Sequence, residues 1–164
     1  MSIMSLKQDN VLFASDMPKE VNDILQEAVV LYDDTERAKK KLLEALEIAP
    51  HRLEVYVALY KFYFYKNFID DAESIALKAL SEAAAQGGFS ADWTTLTENS
   101  TQWTPAPDAQ RFYLYTLKAL AFINLRKNRT DLANAILNKL ITLDPKDQVG
   151  GSVIRDLASG SLEA

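Results

Sequence analysis

A chain of 164 residues has room for one typical domain with a real core, and 48% hydrophobic with 25% charged residues excludes general disorder. A net charge of -5 and a pI near 4.9 argue against nucleic-acid binding, which needs concentrated positive charge to replace phosphate counterions. The absence of cysteine removes disulfides, thiolate metal sites and a cysteine nucleophile together.

Residues 1–16 lack the charged and apolar regions of a secretory signal and read as a flexible arm. No run approaches the ~18 apolar residues of a membrane span. The expectation is therefore a soluble, cytoplasmic protein with no membrane partner. From Pro18 onward, 3.6-residue apolar periodicity predicts helices over 17–32, 35–49, 52–66 and 69–86. The turns at Asp33-Asp34-Thr35, Asn67 and Asn128-Arg129-Thr130 are read as caps of the helices that follow them. Gly87-Gly88 then opens a stretch with both tryptophans, Trp93 and Trp103, and Pro105-Ala106-Pro107. Ser90 is expected to cap a short helix over 91–98, with the rest an ordered loop. Further helices are predicted over 109–127 and 130–143. Val153, Ile154 and Leu157 are expected to form one apolar edge of a capping helix over 150–158, with partner docking as its alternative role.

The helices repeat. Ala38 and Ala45 stand seven apart before Pro50, Ala72 and Ala79 repeat the pair 34 residues later, and Ala133 follows after a further 61. An alanine at each of these points lets antiparallel helices approach closely, while larger apolar residues fill the gaps between hairpins. The pattern resembles the tetratricopeptide repeat (TPR). Leu25, Ala28, Ala38, Leu42, Ala45 and Pro50 fit its first copy. Tyr56, Leu59, Tyr63, Ala72 and Ala79 fit the second; Leu117, Leu120, Ala121, Ala133, Leu137 and Pro145 fit the third. The departures are Gln26, Ala84 in place of a closing proline, Asn124 and Leu140.

The resemblance implies an all-α fold: an antiparallel helix-hairpin superhelix, or α-solenoid, with a C-terminal cap. One domain would span 17–159, with repeats over 19–52, 53–86 and 114–147 and an insertion over 87–113. It implies a non-catalytic protein-binding module, adaptor or chaperone-like, whose first helices line a concave groove for a helix or extended peptide. Type III secretion chaperones have a similar three-repeat size, but the insertion does not match them. Carried over to this sequence, the groove positions are Asp23, Glu27, Val30 and Leu31, then Val57, Lys61, Phe64 and Tyr65, then Tyr115, Lys118, Phe122, Leu125 and Arg126. Asp23, Glu27, Ala58 and Ala119 stand where some members carry the groups that clamp a C-terminal carboxylate, and acidic groups there would repel one. Trp93 and Trp103 have two readings, pinning the insertion to the helices or forming a wall of the groove.

No chemistry competes with binding. His51, the one histidine, follows Pro50 in a turn without ligand companions, so no metal is expected. No phosphate-cradling or nucleophile-elbow motif occurs, which predicts neither cofactor nor enzyme activity. Lys39-Lys40-Lys41 reads as a solvated helix face beside Glu36 and Glu44. Self-association into a structural homodimer, through the terminal helix or the aromatic run Tyr56, Tyr60, Phe62, Tyr63, Phe64, Tyr65 and Phe68, is the alternative function, and a small enzyme using groove carboxylates is the third reading.

Overall fold

A computed structural model describes residues 16–158, so the expected arm lies, Asp16 apart, outside the described residues. Among the described residues every regular element is helical: α1 (Lys19–Val30), α2 (Thr35–Ile48), α3 (Leu53–Tyr65), α4 (Ile69–Gly87), a single 3₁₀ turn (Trp93–Thr95), α5 (Asp108–Arg126), α6 (Thr130–Leu143) and α7 (Gly151–Asp156). The chain divides into two compact units between Ile75 and Ala76, inside α4.

In the first unit α2 packs against both α1 and α3. The contact is possible because Ala38 and Ala45 present only methyl groups and are wholly buried, with Leu42 between them. The Asp34 carboxylate accepts a 3.3 Å bond from the Arg37 N–H and caps α2 as expected. Asn67 does something else. Its φ of +68° is left-handed, and the 2.8 Å bond from the Phe68 N–H to the Tyr63 carbonyl closes α3 in a Schellman turn. Asn128, at +60°, closes α5 identically through the Arg129 N–H and the Asn124 carbonyl, at 2.9 Å. Both asparagines therefore end the preceding helix, and at the start of α6 no side-chain cap follows. Arg52 ties down the start of the described chain, donating to the Asp16 carbonyl at 2.8 Å while facing the carboxylates of Asp16 and Glu54 at 3.6 and 3.5 Å. Tyr60, Phe62 and Tyr63 of α3 are core, and Phe62 meets Tyr32 edge to face at 6.1 Å.

In the second unit α5 and α6 form an antiparallel hairpin with α7 laid against both. Ala133 is wholly buried in α6, as Ala38 is in α2. The two second helices also end alike: Ala49 (φ -130°, ψ 68°) and Asp144 (φ -126°, ψ 66°) each stop a helix just before a proline. The insertion is fixed onto this hairpin. The Trp103 indole N–H donates to the Thr97 carbonyl (3.0 Å), the Tyr113 hydroxyl to Ala91 (2.8 Å) and the Lys139 ammonium to Leu96. Gln148 donates to the Trp103 carbonyl at 2.8 Å and accepts from the Ala106 N–H at 3.0 Å.

Where a helix over 91–98 was expected, one 3₁₀ turn forms instead. Asp92, not Ser90, caps it, accepting from the Thr94 N–H at 3.0 Å. A second correction concerns α7. Val153, expected on its apolar edge, is 61% exposed, whereas Ile154 and Leu157 are half-buried. Gly151 is the buried contact instead: a Cβ there would lie 2.6 Å from Leu140 Cδ2, so glycine permits the close approach.

Candidate protein-binding surfaces

The outer sides of α1, α3 and α5 differ in the side chains they expose. Of α5 between Arg111 and Arg126, the residues not buried are Arg111, Phe112, Tyr115, Lys118, Ala119, Phe122, Leu125 and Arg126. Their steps of one and three residues keep all eight on one stripe, an arc of about 140° at 100° per residue. The opposite side, with Tyr113, Leu114, Leu117, Leu120, Ala121 and Ile123, is core. The expected groove positions Tyr115, Lys118, Phe122, Leu125 and Arg126 thus fall together on one exposed face. Arg111 and Phe112 belong to it as well; counting three and four residues back from Tyr115 would have found them.

Cations sit beside rings on this stripe. The Lys118 ammonium lies 4.4 Å from the centre of the Tyr115 ring and the Arg111 guanidinium 5.8 Å from that of Phe112. Lys118 also donates to the Val149 carbonyl at 2.7 Å, holding the α6–α7 connection against α5. Burial lowers the pKa of its ammonium, partly offset by the nearby Asp147 carboxylate.

The stripe on α1 is of another kind. Asp23 and Glu27 are exposed, yet each already has a cation: Lys19 at 2.8 Å from Asp23, and Lys41 at 2.9 Å from Glu27. Hydrogen bonding to Glu27 is the largest cause of the raised pKa of Lys41. The same lysine faces Glu44 at 3.6 Å and Lys39 faces Glu36 at 3.8 Å, so two of the three lysines in the basic run sit in ion pairs along their own helix. Val30 stands 80% exposed at the end of α1.

On α3, Lys61, Phe64 and Tyr65 are half-buried, and the two rings meet edge to face at 5.7 Å. Val57 is 2% exposed and Trp103 3%, so neither offers surface to a partner. Trp103 instead joins Phe89 (5.1 Å) and Tyr113 (6.1 Å) in an aromatic cluster that holds the insertion, the first of its two readings. Trp93 is half-buried on the 3₁₀ turn. His51 is exposed, and no group of three or more metal-ligating side chains occurs among the described residues. No described helix is long and apolar enough to cross a membrane.

No protein-family model and no solved structure matches the chain. Among curated proteins it matches the uncharacterized 19.8 kDa protein in the nifW 5' region of Azotobacter chroococcum mcd 1, at 31% identity over 129 residues, 77% of this chain and 72% of the relative. The chain belongs to the family of that protein.

Proposed function

We propose that this member of the family is a non-catalytic, TPR-like α-solenoid module that binds another protein, taking a helix or extended segment of it against its first helices. The observation that carries the reading is the α5 stripe, where Phe112, Tyr115, Phe122 and Leu125 keep part of their apolar surface in water while the opposite side of the same helix is fully packed. A helix with no partner is served by a polar outer side, and rings held beside cations are what interfaces favour. Two backbone features support the repeat architecture: the paired left-handed asparagines 61 residues apart, and the matching helix ends at Ala49 and Asp144.

The test is affinity capture of the tagged chain from its native extract, comparing wild type with Phe64→Ala/Phe122→Ala and with Leu43→Ala/Leu77→Ala, a pair of exposed apolar positions on second helices. The reading expects a partner protein retained by the wild type and by the second-helix pair, and lost from Phe64→Ala/Phe122→Ala. Equal retention by all three would overturn it. Light scattering on the same preparations identifies a second copy as the occupant, for which exposed Val153 would be an apolar contact.

A further inference from the structure

The α5 stripe is selective about charge. Between Asp108 and Asp131 the chain carries no carboxylate, although the protein as a whole is acidic at -5. Arg111 is held by Asp108 at 3.1 Å and Lys118 by the Val149 carbonyl at 2.7 Å, with the Asp147 carboxylate of the α6–α7 connection also near Lys118. A guanidinium has five N–H donors and an ammonium three, so both retain donors after these bonds. Phe122 and Arg126, four residues apart on the same stripe, continue the alternation of ring and cation. Cations already positioned over rings lose less freedom when they meet an anion, which lowers the cost of binding.

We infer that the α5 stripe receives an acidic amphipathic segment of a partner protein, its apolar side chains on Phe112, Tyr115 and Phe122 and its carboxylates on Arg111, Lys118 and Arg126. The stripe runs over about 22 Å, the length of a helix of about 15 residues. Three cations among half-exposed rings suit interspersed carboxylates better than a continuous phosphate backbone, which needs denser positive charge. A basic segment would meet like charge on α5 and be excluded there. The inference rests on the binding-module reading and adds the chemistry of the ligand to it.

The experiment selects a phage-displayed library of random 16-residue peptides against the full chain, with heparin as a competing polyanion. The expected result is enrichment of peptides rich in Asp and Glu, with apolar residues spaced three and four apart. Their affinity should fall about tenfold in Arg126→Glu, while Glu47→Lys, exposed on the second helix α2, leaves it unchanged. Arg126→Gln serves if the reversed charge disturbs the fold, and circular dichroism monitors both variants. Neutral or basic peptides that still depend on Phe122 would overturn the charge assignment and leave the binding module standing. Acidic peptides indifferent to both Arg126 and Phe122 would place binding elsewhere and overturn the inference. So would no enrichment at all, or displacement by heparin as efficient as by the peptides' own acidic sequence.

Discussion

Helices α1 and α5 are built on one plan and differ in what they leave outside. Each buries one side at 3.6-residue spacing, with Val21, Ile24, Leu25, Ala28 and Val29 in α1 and Tyr113, Leu114, Leu117, Leu120 and Ala121 in α5. The outer side of α1 holds Glu20, Asp23, Gln26 and Glu27, with Asp23 paired to Lys19 and Glu27 to Lys41. That of α5 holds rings and cations. The imbalance extends to the units. Up to Ile75 there are nine basic and fourteen acidic residues, whereas from Ala76 on there are nine of each. Periodicity states only which residues face outward. The chemistry facing outward separates a side made for water from the one proposed to receive a partner.

The strongest way to break this comparison is to test whether the aromatics of the second unit divide into structural and binding groups. Trp103→Ala empties a buried site in the Phe89–Trp103–Tyr113 cluster and also removes the indole bond to Thr97. Urea denaturation should show a loss of about 3–5 kcal/mol. Phe122→Ala removes a half-exposed ring and should cost less than about 1.5 kcal/mol. Equal losses would mean that the stripe is part of the core and that its exposure has no bearing on binding.

Trp103 also marks where the sequence stopped being informative. The helices were legible because apolar spacing, paired alanines and the prolines at 50 and 145 are local signals. The fixing of the insertion was not, because Gln148 meets Trp103 and Lys139 meets Leu96 across more than forty residues of chain. Asn128 misled for a different reason: asparagine favours both helix N-caps and left-handed C-terminal positions, and its φ of +60° puts it in the second class. Of the carried-over positions, those on α5 fell at the surface because that helix has one clean outer side. Val57 did not, because α3 is apolar nearly all round and buries most of its residues. Arg111 and Phe112 lay within reach of the same counting but before the repeat boundary expected at residue 114.

A gentler test leaves the aromatic cluster in place and removes one atom. Burial pushes the Tyr113 hydroxyl well above the ordinary phenol value of 10.0, and its proton is donated to the Ala91 carbonyl. As pH rises past about 10 the unfolded tyrosine loses its proton while the folded one keeps it, so this group draws stability away in the alkaline range. Tyr113→Phe should cost about 1 kcal/mol at neutral pH. Its stability should then fall less steeply than that of the wild type between pH 10 and the highest pH at which the fold survives, read by denaturant titration at each pH. A parallel decline in both proteins would mean that Tyr113 does not titrate differently on folding.

The smallest effect belongs to α1. Glu27→Gln removes the carboxylate that Lys41 reaches at 2.9 Å, but the Glu27 side chain is 54% and that of Lys41 33% exposed, so water screens the attraction and the order imposed on two long side chains offsets it. Hydrogen bonding to Glu27 raises the Lys41 pKa above 10.5, so what the lysine contributes to the pair is present at neutral pH and fades as pH rises through that raised value. The thermal midpoint at neutral pH should therefore coincide with that of the wild type at both low and high salt. A clear drop confined to low salt would show that α1's outer charges hold the first unit together. Such a result would weaken the contrast with α5, since charged groups would then be structural on one stripe and available to a partner only on the other.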